Sequence, residues 1–156
     1  MLFAKEEYKQ RLKKVQASMQ EKGIELLISQ DTNNMNYLTG YDAWSFYYSQ
    51  CAIVHINAEE PLCFVRAQDA GGAHIKTYLK RENIIVYEEK YIHAWPMHPY
   101  DPLIELIKKN KWDNLNIGVE MDSHYFTAYC YEKLKKGLPN AKIKDSERLV
   151  NWARLV

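Results

Sequence analysis

The sequence predicts an α/β fold, a mixed sheet of about six strands flanked by helices. Two observations carry that expectation. Two apolar stretches, Cys51 to Ile56 and Leu62 to Val65, sit on either side of the turn residues Asn57 to Pro61 and read as an antiparallel hairpin. Downstream of it, strand-like and helix-like stretches alternate, the arrangement of a sheet covered by helices. A chain of 156 residues can bury roughly 68–70% of its unfolded surface in one domain, without help from disulfides or metal.

The elements follow in order. Tyr8, Leu12, Val15 and Met19 recur at helical spacing with charges on the other face, and Gly23 stands where a left-handed residue would end the helix. Ile24 to Ile28 reads as a short buried strand. Asp31-Thr32-Asn33-Asn34 is turn chemistry, because Asp and Asn side chains satisfy neighbouring backbone groups. After the hairpin, Gly71-Gly72 suggests a flexible strand-to-helix turn, Ala73 to Lys80 a helix and Ile84 to Tyr87 a strand. Asp101-Pro102 opens the next helix, with Asp as cap, Pro in the first position and Leu103, Leu106 and Ile107 as its apolar stripe. Leu115 to Glu120 is strand-like and Ser123 to Lys136 helical, ended by Gly137. Ala141 to Lys144 reads as a strand and Ser146 to Leu155 as a closing helix. With no repeat, low-complexity tract or linker between them, residues 1–156 are expected to form a single domain.

Composition narrows the function classes. Lys+Arg 21 against Asp+Glu 20 gives a net charge of +1, so no strong field favours nucleic acid or an anionic membrane. No apolar run approaches the roughly 20 residues of a membrane helix, and the charged start MLFAKEEYKQ is unlike a signal peptide. Cys51, Cys63 and Cys130 are odd in number and set among apolar or aromatic neighbours, as free thiols in a reducing compartment would be. A cytoplasmic protein is expected.

Chemistry is sparse. His55, His74, His93, His98 and His124 lack the spacing of a helical zinc motif, so no metal ligand is assigned. Cys51 and Cys63 lie on apolar strands, the opposite of a nucleophile's setting, and no G-x-S-x-G elbow occurs; no catalytic residue is assigned. Arg66, Gln68 and Asp69 form a polar group at a strand end, where α/β folds place ligand crevices. The densest feature is Asn34 to Gln50, NMNYLTGYDAWSFYYSQ. Tyr and Trp carry polar tips that suit pocket walls and half-wet interfaces, and Asp42, Ser45 and Ser49 are interleaved with them.

Asn34-Met35-Asn36-Tyr37-Leu38-Thr39-Gly40-Tyr41 resembles the N-(I/M)-x-Y-L-T-G-(F/Y) signature in the N-terminal domain of the creatinase/prolidase group, the pita-bread metallopeptidase family. Arg11-Leu12 through Gly23-Ile24, Ile117-Gly118-Val119-Glu120, Leu138-Pro139-Asn140-Ala141 and Leu149-Val150 to Arg154-Leu155-Val156 look like further family landmarks, in order. GYDAWSFYYSQ, RAQDAGGAHIKT and HPYDPL look most like the ectoine hydrolase and Xaa-Pro dipeptidase-like branch. Creatinases carry a Phe and an Arg here to hold substrate. Phe46 matches the Phe, whereas Tyr48 replaces the Arg, which argues against creatine as substrate.

The resemblance implies a ribonuclease H-like fold. It also implies a non-catalytic domain of a metal-dependent C–N hydrolase, contributing to dimerisation and to the substrate pocket. Family members continue into a catalytic domain with a divalent metal pair that activates water; this chain stops at Val156, and none of those ligands can be placed on it. The expected partners are that catalytic domain and a second subunit, as a homodimer. Trp44, Phe46 and Tyr48 would wall the pocket, with Arg66 and Asp69 nearby. The alternative is a stand-alone module that binds a small zwitterion or a protein.

Overall fold

The computed structural model describes residues 3–42 and 44–155. Met1, Leu2, Ala43 in the aromatic stretch and Val156 at the end of the family-like match lie outside them. Strands β1 (Leu26–Ser29), β2 (Cys51–His55), β3 (Leu62–Arg66), β4 (Ile84–Tyr87), β5 (Asn116–Val119) and β6 (Lys142–Asp145) form one sheet in the order β4-β3-β2-β1-β5-β6. β2 is antiparallel to β1 and β3, with Cys51 opposite Phe64 in the expected hairpin. The pairs β1–β5, β3–β4 and β5–β6 are parallel. Every strand except β2 therefore points the same way, and the mixed six-stranded sheet is as expected.

Helices α1 (Lys5–Glu21), α2 (Thr32–Thr39), α3 (Ala70–Lys76), α4 (Tyr100–Lys109), α5 (Ala128–Gly137) and α6 (Leu149–Arg154) cover both faces. The alternation of side chains along a strand makes two cores. Leu27, Val54 and Val65 pack with Leu12, Val15 and Met19 of α1 and with Met35 and Leu38 of α2. Leu26, Ile28, Phe64, Ile117 and Val119 pack instead with Leu103 and Ile107 of α4 and Leu134 of α5. Gly23, at φ 61, ends the first helical segment in the left-handed conformation. No helix among the described residues is long and apolar enough to cross a membrane.

The structure corrects the sequence reading at several helix boundaries; α3 ends at Lys76 rather than Lys80, and α6 begins at Leu149 rather than Ser146. Asp31 to Asn34 is not a turn but the start of α2: Asp31 Oδ1 accepts from the Asn33 and Asn34 amides, and Gly40 closes the helix at φ 80. The side-chain chemistry that favours a turn also makes a helix cap, and burial of Met35 and Leu38 decides between them. Gly71 and Gly72 lie inside α3 rather than before it. α4 starts at Tyr100, so Asp101 is in its first turn, reaching back to accept from the His98 amide at 2.8 Å.

α5 begins only at Ala128, with the Thr127 hydroxyl accepting from the Cys130 amide at 3.3 Å. Gly137 does end that helix, but for a packing reason. A Cβ there would lie 2.6 Å from Ile104 Cδ1, so the glycine lets α4 and α5 approach.

Candidate functional site

Topology collects the site at one edge of the sheet. β3, β4 and β5 deliver their following loops to their carboxyl ends, and antiparallel β2 receives its preceding loop at that same edge. The aromatic loop before β2, the 88–99 segment after β4 and the 120–127 segment after β5 therefore meet. Between them lies a cavity of about 510 Å³, lined by Phe46, Tyr47 and Tyr48 from the first, Tyr91, His93, Trp95 and His98 from the second, and Tyr125, Tyr129 and Cys130 from the third and α5. That volume is ample for a small molecule, and no Asp, Glu, Lys or Arg is among the lining residues.

The rings are interlocked rather than loosely gathered. Phe46 meets Tyr47 edge-on at 5.4 Å and Tyr125 at 6.0 Å, and Tyr48 meets His93 at 5.8 Å. His98 packs edge-on to Tyr129 at 5.1 Å. Its Nδ1 accepts from the Tyr100 amide at 3.1 Å, and burial, with the Lys133 charge beside it, lowers its pKa below the usual histidine value. His98 is thus a neutral acceptor at pH 7.

The residues singled out from sequence fall into three groups. Phe46 and Tyr48 line the cavity. Trp44 does not; it stands 82% exposed on the outer side of the loop. Arg66 and Asp69 lie behind the loop and bind it. Arg66 Nε donates to Asp69 Oδ2 at 2.7 Å and its Nη2 donates to Ser45 Oγ at 3.2 Å, while Ser45 Oγ donates to Asp69 Oδ1 at 3.0 Å. The guanidinium lies 4.1 Å from the centre of the Tyr48 ring. Tyr87 Oη, from the end of β4, donates to the Ser49 carbonyl at 2.7 Å and fixes the other half of the loop.

Sequence reasoning does not select the second and third walls. It considers His93 and His98 only as metal ligands, and it places the whole 124–131 stretch in a helix. The signal lies in the runs YIHAWPMHPY and HYFTAYCY, each as ring-rich as the stretch before β2. Another unselected group is Glu120, which follows β5 and is buried. Its Oε1 accepts from Ser29 Oγ at 2.7 Å and Asn34 Nδ2 at 2.6 Å, and its Oε2 from the Gln30 and Asp31 amides at 2.7 and 2.8 Å. Asn34 in turn meets Asn151 and Arg154, so the carboxylate ties β5, β1, α2 and α6 together. Burial raises its pKa above the ordinary carboxylate value, although all four hydrogen bonds favour the ionised form.

The cysteines do not make a nucleophile. All three are buried. Desolvation pushes the Cys51 thiol well up and the Cys63 thiol up to about 12, and Cys130 Sγ accepts from the Thr127 hydroxyl at 3.2 Å. Among the described residues, no group of three or more His, Cys, Asp or Glu side chains could hold a metal ion.

Known proteins match the chain by sequence, and others by fold. The chain is 40% identical over 155 residues to an ectoine hydrolase of Halomonas elongata and 38% identical over 154 residues to an uncharacterized hydrolase/peptidase, y4tM, of Sinorhizobium fredii. Each alignment covers 99% of this chain but 39% of the relative, so the chain spans well under half the length of these proteins. Its fold matches a proline dipeptidase structure from Streptococcus pneumoniae with a TM-score of 0.72 at 18% identity, covering 93% of this chain and 97% of that one. It also matches the Xaa-Pro dipeptidase of Bacillus anthracis with a TM-score of 0.70 at 13% identity, covering 96% of this chain and 36% of that one. The family model described as the creatinase/prolidase N-terminal domain matches residues 11–156. The chain belongs to the creatinase/prolidase N-terminal domain family.

Proposed function

We propose that this chain is the non-catalytic N-terminal domain of a cytoplasmic, metal-dependent C–N hydrolase of the ectoine hydrolase or Xaa-Pro peptidase kind, and that its ring-lined edge walls a substrate pocket completed elsewhere. The observation that carries the reading is the union of family membership with a neutral aromatic cavity. The cavity contributes rings, imidazoles and hydroxyls, which bind and orient a small polar molecule. It offers no activated nucleophile and no metal cluster among the described residues. On this reading the chemistry belongs to a catalytic domain with a divalent metal pair, and a second subunit would bring the two together as a homodimer.

On this reading the purified chain does not cleave ectoine or Xaa-Pro dipeptides with Mn²⁺, Co²⁺ or Zn²⁺ added, and clear turnover by the chain alone would end it. In a full-length hydrolase carrying this domain, Phe46→Ala or Tyr48→Ala lowers kcat/KM by about tenfold. An unchanged kcat/KM in both variants would count equally against it.

A second reading is favoured by the cavity drawing all its walls from this one chain: a stand-alone module that binds a small zwitterion. Calorimetry of the isolated chain with ectoine and with proline dipeptides separates the two. Micromolar binding without any catalytic half supports the module.

A further inference from the structure

Arg66, Asp69 and Ser45 are absent from the cavity lining, yet they form the most concentrated polar network touching the aromatic loop. We propose that they act with Tyr48 as a latch, holding the 44–50 segment so that Phe46 and Tyr47 keep their places on the cavity wall while Trp44 stands outside it. The inference deepens the reading above, in which this loop meets a substrate or partner, by naming what holds it ready.

The energetic problem comes first. Trp44 is 82% and Tyr47 62% exposed, although rings of this size gain by leaving water. Phe46 packs on Tyr47 at 5.4 Å and Tyr47 on Tyr48 at 4.8 Å, but contacts among neighbouring rings do not fix which way the segment as a whole faces. That takes an anchor on the sheet.

The geometry supplies the anchor. Arg66 is the last residue of β3 and is 8% exposed, so its guanidinium is anchored on the rigid sheet. The edge of its planar fork engages Asp69 and Ser45, while its face covers Tyr48 at 4.1 Å. Ser45, 5% exposed, is drawn inward at mid-loop, and the Tyr87 hydroxyl holds the Ser49 carbonyl further along. Phe46, Tyr47 and Tyr48 lie between these two anchors.

Asp69 already neutralises Arg66, so the pair is poorly placed to clamp a substrate carboxylate and well placed to position the loop. A lysine would keep the charge but lose the fork and the flat face.

Hydrogen exchange of the intact chain, read by mass spectrometry, tests the latch without needing a ligand. Asp69→Asn and Ser45→Ala should each speed exchange across 44–50 by about tenfold, with β2 and α4 unchanged, and should weaken the near-ultraviolet circular dichroism of the rings. Arg66→Lys should behave like Asp69→Asn, whereas Ser45→Thr, which restores the hydroxyl, should exchange as the parent does. Unchanged loop exchange in Asp69→Asn and Ser45→Ala, or parent-like exchange in Arg66→Lys, overturns the latch. Faster exchange with an unaltered kcat/KM in a hydrolase carrying the same variants supports the latch and sinks the functional reading on which it rests.

Discussion

Two buried charges sit at the same edge of the sheet and are used in opposite ways. Glu120 is surrounded by donors from β1, the β1–α2 junction and α2, two of them backbone amides, so its hydrogen bonds are spent within the framework. Arg66 is held by side chains of a turn and a loop, and its third contact is a ring. The first network joins elements that must not move. The second fixes a segment whose outer rings remain in water. A buried charge at a strand end is therefore not by itself a ligand site: the elements that supply its partners decide whether it braces the core or shapes a surface.

That contrast can be broken at several points. Glu120→Ala strips the acceptor from four donors and should cost about 3–5 kcal/mol of unfolding free energy in urea. Parent-like stability would show that Glu120 braces nothing. Ser45→Ala, on the other network, should cost only about 1 kcal/mol globally while loosening the loop. A global loss as large as that of Glu120→Ala would erase the distinction.

Gly71 and Gly72 lie in α3, and a Cβ added at either would meet nothing within 4 Å, so neither is required by packing inside this chain. Replacing both with Ala should raise stability by about 1 kcal/mol, read as a higher Tm. A lower Tm would mean that the bare backbone has a role within the domain.

His98 gives the smallest effect, and its sign follows from its lowered pKa. Below the ordinary histidine pKa the unfolded chain takes up a proton that the fold resists, with Lys133 opposing the charge and Asp101 favouring it. Its contribution is complete above about pH 6.5 and is lost as the pH falls through the lower folded value. His98→Asn should flatten stability below about pH 6.5, measured by urea titration at each pH. An identical slope in the variant would assign that pH dependence elsewhere.

Much of the fold was legible because its signals are local. The stripe Tyr8, Leu12, Val15, Met19 became the buried face of α1, and Cys51 to Ile56 with Leu62 to Val65 became the hairpin. The boundaries that moved did so where one local chemistry serves two structures. Asp31 suits a turn or a helix cap, and Asp101 suits a cap or a first-turn position that accepts from the chain behind it. The site was half legible. Phe46 and Tyr48 stand on the cavity, but the ring runs at 91–100 and 124–131 lie far from them in the chain, and no periodicity links them.

The sequence by itself determined the element types, the mixed α/β architecture and the family, because hydrophobic period, turn residues and motif order are all written along one dimension. Only the tertiary structure decided what faces what. One reversed strand, β2, brings the aromatic loop to the edge where β4 and β5 end, and so closes a cavity from three separate stretches. The same folding set Asp69 against Arg66, turning a polar pair that reads in sequence as a binding corner into the support behind the rings.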